Sequence, residues 1–415
     1  MGAAKKTRRK LDVRLVLGAM GPGLVAALAG ADAGGVATYS NAGAIFGFGQ
    51  LWTVPIMCLL LIVAQETAAR MGCVTGKGFA SLIRERYGVR LSVAAMLALL
   101  VSNTTVTLSE FAGIASGLAL FGVPPYLSVP IAAIAIWLLT MSGSYRRIEK
   151  ILLLISCAFL TYVVAGIMVG PDWGRALHDT IIPQIQPTTA YLSLLVANIG
   201  TTIAPWMIFL AQSNVVDKNA GVDDIPYQRI DTVTGAVVAS AISWFIILTT
   251  GAVLHPAGIV VEEAQDAAIA LAPIVGDYAE LLFGAGLIGA SVLAACVLPG
   301  ITSSAICEAL GWERGADRSW SEAPVYRGII TAIIVISAII VIIPNVNLFG
   351  VMMAAQVING VLLPVLLIFM VGIAGDRHIM GENANGRVWT FLSWVTIVGT
   401  IGLTIVMFFL QFTQI

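Results

Sequence analysis

Apolar positions run along this chain in long, nearly uncharged blocks. Eleven can be read, at about 14–45, 50–71, 90–119, 126–142, 151–170, 191–216, 230–254, 278–310, 326–343, 348–373 and 388–412. A helix needs about 20 mostly apolar residues to cross a bilayer, and most of these blocks supply them. Loop-forming segments divide them, among them Phe48-Gly49-Gln50, Val123-Pro124-Pro125 and Pro344-Asn345-Val346-Asn347. Lipid offers backbone groups no hydrogen-bond partner, so each block must satisfy its own as a helix. The pattern predicts an all-α integral membrane protein with about eleven transmembrane spans.

Composition agrees. Of 415 residues, 58% are hydrophobic and only 11% charged, and the mean hydropathy is +0.93. Soluble domains carry about 25% charged residues, so a soluble enzyme is excluded. The net charge of -1 gives no electrostatic basis for binding nucleic acid. Cys58, Cys73, Cys157, Cys296 and Cys307 form no CxxC pair and read as small buried hydrophobes. His178, His255 and His378 fall in predicted loops, which argues against a histidine relay within the spans and against an HExxH site.

Orientation follows from Lys and Arg. With the N-terminus inside, all of the 22 basic residues except Arg175 fall on the inner side. The C-terminus then faces outward. Residues 1–13 form a basic cytoplasmic segment, 14–373 a transport core, and 374–415 a loop with an accessory eleventh helix. A competing reading takes the first block, ending in Ala27-Leu28-Ala29, as a cleavable signal peptide. It would remove one span and spoil the segregation of charge.

Two spans carry helix breakers at mid-depth. Span 1 reads Ala29-Gly30-Ala31-Asp32-Ala33-Gly34-Gly35, and span 6 reads Gly200-Thr201-Thr202-Ile203-Ala204-Pro205-Trp206. Each glycine weakens a helix by about 1 kcal/mol relative to Ala. Pro205 removes a backbone hydrogen bond and clashes with the preceding turn. A carboxylate such as Asp32 at a helix centre costs about 2.5–3.5 kcal/mol on insertion scales, so it faces protein or water. Breaks five spans apart are the mark of an inverted repeat, here about 14–170 and 191–373, with an ion or substrate site at the unwound backbone. The plainer alternative is a proline kink plus glycines for close packing.

These residues also carry a resemblance. Gly21-Pro22-Gly23, Asp32-Ala33-Gly34-Gly35-Val36-Ala37-Thr38, Ala42-Gly43-Ala44, Ala68-Ala69-Arg70-Met71-Gly72, Val74-Thr75-Gly76-Lys77, Ala204-Pro205, and Gln356 ahead of Pro364 resemble the Nramp family of divalent metal transporters. The likeness spans roughly residues 15–375 and is strongest in the first 90. It implies the leucine-transporter fold, a 5+5 inverted repeat with broken helices 1 and 6. The departures matter. Where the family has Asp-Pro-Gly-Asn, this chain has Asp32-Ala33-Gly34-Gly35, and where it has Met-Pro-His, this chain has Ala204-Pro205-Trp206. The family's second span 6 histidine is Ala211. This pattern is similar to the Nramp-related magnesium transporters, a branch implied to carry Mg²⁺, and Mn²⁺ as well, without proton coupling.

Chemistry points the same way. A thioether favours softer transition metals, whereas Mg²⁺ takes oxygen ligands and dehydrates reluctantly. Ala204 and Gly35 in place of Met and Asn remove a soft ligand and an amide and enlarge the pocket. The expected ligands are the Asp32 carboxylate and the carbonyls of Ala29 and Thr201, with Glu110 acting through water as a second negative charge. Asn103, Thr107, Glu110, Gly113 and Gly117 share one helix face, so Glu110 faces protein or water. The alternative for Glu110 is a hydrogen-bonded packing residue. Trp206 is expected to wall the pocket as a steric filter, or simply to pack, because indole only donates. Gln356 and Asn359 are candidate outer-shell amides or packing residues, and Thr38 and Asn41 follow the break and are expected to line the route.

The expected function is alternating-access transport of Mg²⁺ and Mn²⁺ in a cell membrane, with no cofactor and no obligatory protein partner. The competing functions are a proton-coupled Mn²⁺ or Fe²⁺ importer, an amino-acid transporter of the same fold, and an ion channel. An intramembrane enzyme is excluded by the absence of a Ser/His or metal-ligand constellation in the spans.

Overall fold

The computed structural model describes residues 32–142, 157–315 and 317–413, and every regular element in them is helical. Ala29, the first half of span 1 with Gly21-Pro22-Gly23, the basic N-terminal segment, Arg146, Arg147, Lys150 and the start of span 5 lie outside the described residues. In chain order the helices are α1 (Ala33–Phe46), α2 (Thr53–Thr75), α3 (Phe79–Ala119), α4 (Pro125–Met141), α5 (Thr161–Met168), α6 (Trp173–Ile181), α7 (Thr189–Thr202) and α8 (Pro205–Asp217). They continue as α9 (Ile225–Ala257), α10 (Ala264–Ile269), α11 (Ala272–Val275), α12 (Ala279–Leu310), α13 (Pro324–Ile342), α14 (Leu348–Ala374), α15 (Arg377–Met380) and α16 (Arg387–Thr413).

Eight segments among the described residues are long and apolar enough to cross a membrane, with α7 and α8 together forming one of them. With the shorter helices α1, α4 and α5, they reproduce the eleven expected spans. The chain is a multi-pass membrane protein.

Packing follows the repeat. Span 1 (α1) packs on span 6 (α7), span 2 (α2) on span 7 (α9), span 3 (α3) on span 8 (α12), and span 4 (α4) on span 9 (α13). Span 10 (α14) lies against α1 and α7 on one side and α3 on the other. Each of the first four spans thus meets its counterpart five spans away, the arrangement expected of two inverted halves.

The basic loops gather at one end of the bundle. Glu66, buried in α2, is held by Arg70 at 3.2 Å and by Arg229 of α9 at 2.6 Å. Arg70 continues to the Asn383 carbonyl and to Asn385 Oδ1, at 2.5 Å from the latter. Arg86 pairs with Asp376 at 3.0 Å. At the opposite end, Gln50 bonds the Tyr191 carbonyl at 3.2 Å, and Asn198 reaches Gln50 Oε1 at 2.6 Å.

Two expectations need correction. Helix α3 starts at Phe79, not near residue 90, and runs through a kink at Gly88, where φ is 76°. Its charged first turns, with Arg84, Glu85 and Arg86, read as a loop in sequence because they are too polar for lipid. They are helical, and Arg84 bonds the Ala309 carbonyl of α12 at 2.6 Å. The histidines are not in loops. His178 lies in α6, His378 in α15 and His255 in the last turn of α9. Pro256 does not end α9, because the helix continues one residue further and closes on Gly258 in the left-handed region, φ 68°. His255 Nδ1 meets the Ala44 carbonyl at 3.0 Å, far along α9 from mid-depth.

Candidate functional site

The break in span 6 has a local cause. The residue before a proline is pushed to extended backbone, and Ala204 adopts φ -66°, ψ 136°. Pro205 then starts α8 at its first position, where a missing N–H costs nothing. The same missing N–H leaves the Thr201 carbonyl without its helical donor. One residue back, the Gly200 carbonyl is taken by Asn359 Nδ2 at 2.7 Å. Asn359 Oδ1 in turn accepts from Ser102 of α3, so one amide from α14 fixes the frayed end of α7. Glycine at 200 is required: a Cβ there would run into the Gln356 carbonyl and the Gly360 backbone.

Asp32 caps α1. Its Oδ1 accepts from the Gly35 N–H at 2.7 Å, and its own backbone is extended, φ -72°, ψ 174°. The Thr201 hydroxyl comes near this carboxylate without completing a hydrogen bond. Glu110 Oε2 accepts from the Ala33 N–H at 3.4 Å, the next donor of the same helix end. The two carboxylates therefore converge on the N-terminus of α1, whose dipole favours negative charge, and they are close enough to feel one another. Both are buried, Asp32 to 1% exposure and Glu110 to 0%. Among the described residues Glu110 Oε1 completes no hydrogen bond, nor does the Ser109 hydroxyl, nor that of Ser291, which lies near Glu110.

The other expected residues gather here to different degrees. Gln356 packs its amide on Gly34, where a Cβ would collide with it and with Ser109 Oγ. Its Nε2 is buried without an acceptor, and its Oε1 lies 3.5 Å from Asn359 Nδ2. Gly35 supplies the N–H that Asp32 accepts, and Ala204 and Pro205 are buried at the break. Thr38 turns back to the Gly34 carbonyl at 2.7 Å. Asn41 meets the Ala37 carbonyl at 3.3 Å and Met353 Sδ at 3.0 Å. Trp206 is buried in an apolar cluster with its indole N–H unpaired. The face of α3 bearing Asn103, Thr107 and Glu110 is buried, with Asn103 Nδ2 bonded to Thr302 of α12 at 2.8 Å.

Some neighbours were not expected from sequence. Tyr39 hydroxyl meets Thr202 Oγ1 at 2.7 Å and ties α1 to α7 across the two breaks. Ser109 and Ser291 complete the surroundings of Glu110. The polar run Tyr39-Ser40-Asn41 just after the break was the available signal for Tyr39; for Ser291 there was none.

Two large cavities approach this place from opposite ends. One of about 630 Å³ is lined by Ser116, Glu262, Glu263, Glu280, Asn347 and Phe349. The other, about 670 Å³, lies at the basic end among α3, α8 and α12 and includes Phe209, Ser213, Cys296 and Glu308. Neither is lined by Asp32 or Thr201. The carboxylates thus sit in protein between two vestibules.

The family described as natural resistance-associated macrophage protein-like (Nramp) matches residues 23–410. The divalent metal cation transporter MntH of Ralstonia nicotianae is 29% identical over 394 residues, covering 90% of this chain and 86% of that one. A manganese transporter of Eremococcus coleocola, solved with an aromatic bis-isothiourea substituted compound, shares the fold with a TM-score of 0.77. It is 20% identical and covers 96% of this chain and 88% of its own. More distantly, MhsT in complex with L-phenylalanine gives a TM-score of 0.58 at 15% identity, covering 99% of this chain and all of its own.

Proposed function

Because this chain belongs to the Nramp family of membrane transporters, and not to a family of enzymes, we propose that it carries Mg²⁺, and Mn²⁺ as well, by alternating access. The reading rests on one observation. A buried carboxylate at the head of α1 stands beside the Thr201 segment, whose carbonyl Pro205 strips of its donor, with alanine where a thioether ligand would be. Carboxylate and carbonyl oxygens are hard donors, and a set this small suits a cation that keeps several waters. Asp32 is the direct ligand, the Thr201 carbonyl and that of Ala29 join it, and Glu110 acts through water. Gly35, Thr38, Trp206, Gln356 and Asn359 line or support the pocket. Manganese transport by the solved relative, and the divalent metal named for MntH, support a divalent cargo.

Transport runs without proton coupling in this reading. Histidine is the usual titrating group near neutral pH, and His255, the one histidine on a long helix, is held at the end of α9 by the Ala44 carbonyl. The basic end of the bundle faces the cytoplasm, as the placement of Lys and Arg favours. An amino-acid cargo, as bound by MhsT, is disfavoured because Asp32 and Glu110 repel a substrate carboxylate.

The test is Mg²⁺ uptake into proteoliposomes carrying an internal indicator. The native chain is expected to load Mg²⁺ and Mn²⁺, and Asp32→Ala to reduce uptake to the level of empty liposomes. Undiminished flux through Asp32→Ala overturns the site. A pH reporter in the same vesicles is expected to stay flat, and Mg²⁺-dependent acidification would overturn uncoupled transport.

A further inference from the structure

A line of small voids flanks the vestibule at the basic end. Two small cavities lie between α2, α8 and α9, of about 20 and 40 Å³, and they share Gln65 and Met207. The first is closed above by Tyr39, Thr201 and Thr202. The second ends on Lys218, Gln228 and Asp231 at the basic end. Along α8 the lining runs from Met207 to Lys218, roughly 16 Å at the rise of an α-helix.

The same helix borders both the small cavities and the wide vestibule. Phe209 and Ser213 of α8 line the cavity of about 670 Å³, Met207 lines both small cavities and Ala211 the lower one, and Leu210 and Asn214 line the lower cavity and the vestibule alike. Size assigns the cargo of each: a hydrated dication fits only the wide one. A water molecule needs roughly 10–15 Å³ and two to four polar partners. The upper cavity has room for one water and the lower for two or three. Partners are present. Ser240 Oγ and Thr201 Oγ1, both buried, line the upper cavity and complete no hydrogen bond among the described residues, Thr201 lying near the Asp32 carboxylate. Gln65 and Ser243 stand with them, and Asn214, Gln228 and Thr232 line the lower cavity. Buried hydroxyls are ordinarily satisfied, by ordered water where protein supplies no partner.

We propose that α2, α8 and α9 hold a broken file of three or four ordered waters, in two groups, between Thr201 and the basic end of the bundle. The file stands on the cavities and the unpaired hydroxyls, and it rests on the proposed function only for what its upper end touches. There, a cation trading a shell water for protein oxygens has a hydrated neighbour in the next turn.

Radiolytic hydroxyl-radical footprinting of the full chain in lipid nanodiscs tests this. Radicals form from bound water in place and oxidise the nearest thioether. Met207 is 4% exposed and lines both cavities, whereas Met71 and Met352 are 0% exposed and line neither. Met207 is expected to oxidise at least tenfold faster than Met71 and Met352. Ala239→Leu, which puts a larger apolar side chain into the upper cavity, is expected to lower the Met207 rate several-fold. A Met207 rate in the native chain no higher than that of Met71 and Met352 overturns the proposal, with no variant needed. An unchanged Met207 rate in folded Ala239→Leu overturns it too. Fast Met207 oxidation alongside undiminished Mg²⁺ flux in Asp32→Ala would sink the ion site and leave the water file standing.

Discussion

At the scale of single residues, Asp32 does two jobs that compete for its oxygens. It caps α1 through Oδ1, an interaction worth about 1 kcal/mol, and in the proposed function it also holds the cation. Asp32→Asn separates the two, because asparagine caps as well but carries no charge. The variant is expected to keep the thermal stability of the native chain in detergent while losing Mg²⁺ uptake. Glu110 is different: a water-mediated contact to a charge is worth about 1.5–3 kcal/mol. Glu110→Gln is therefore expected to raise the half-saturating Mg²⁺ concentration roughly ten- to hundredfold, and unchanged uptake would return Glu110 to a packing role. Ala204→Met tests hardness. Adding a thioether at the break is expected to shift the Mn²⁺ to Mg²⁺ uptake ratio toward Mn²⁺ by about tenfold, since soft ligands select the later metal. Asp32, Glu110 and the alanine in place of sulfur were all legible in the sequence. The capping role of Asp32 and the convergence of both carboxylates on one helix end were not, because the Ala33 contact joins residues 77 apart in the chain.

Among the elements, the spans were legible because lipid imposes length and polarity on every one of them. The failures came where that constraint lapses. The charged start of α3 leaves the apolar pattern yet stays helical, fastened by Arg84 to α12. Pro256 is tolerated inside α9 because it falls in the last turn, where little helix remains to be broken. The break between α7 and α8 was legible from Pro205 only together with Asp32 and the glycines of span 1. Its anchoring by Asn359 and the tight seat of Gly200 depend on α14, which no local pattern reveals. Gly200→Ala must displace the backbone of α14, and overpacking of this kind typically costs about 1–3 kcal/mol. The expected result is a lower melting temperature by nanoscale fluorimetry, whereas Gly399→Ala, in open space on α16, leaves it equal or higher, because alanine favours the helix.

For the whole molecule, the basic end is fastened by ion pairs beside its own vestibule. Arg70 and Glu66, both buried, join α2 to α9 and to the segment before α16. Removing one partner of a buried pair costs about 3–5 kcal/mol, against about 0–1 kcal/mol for an exposed one. Arg70→Ala is expected to lower the melting temperature well beyond Lys77→Ala, whose pair with Glu85 is half exposed. Equal effects would show that the cluster contributes no more than a surface pair. One contact reaches further. Gln356 touches both interruptions, its amide against Gly34 and its carbonyl against Gly200. The two half-helices thus share one seat on α14, and any shift of that residue is felt at both interruptions together.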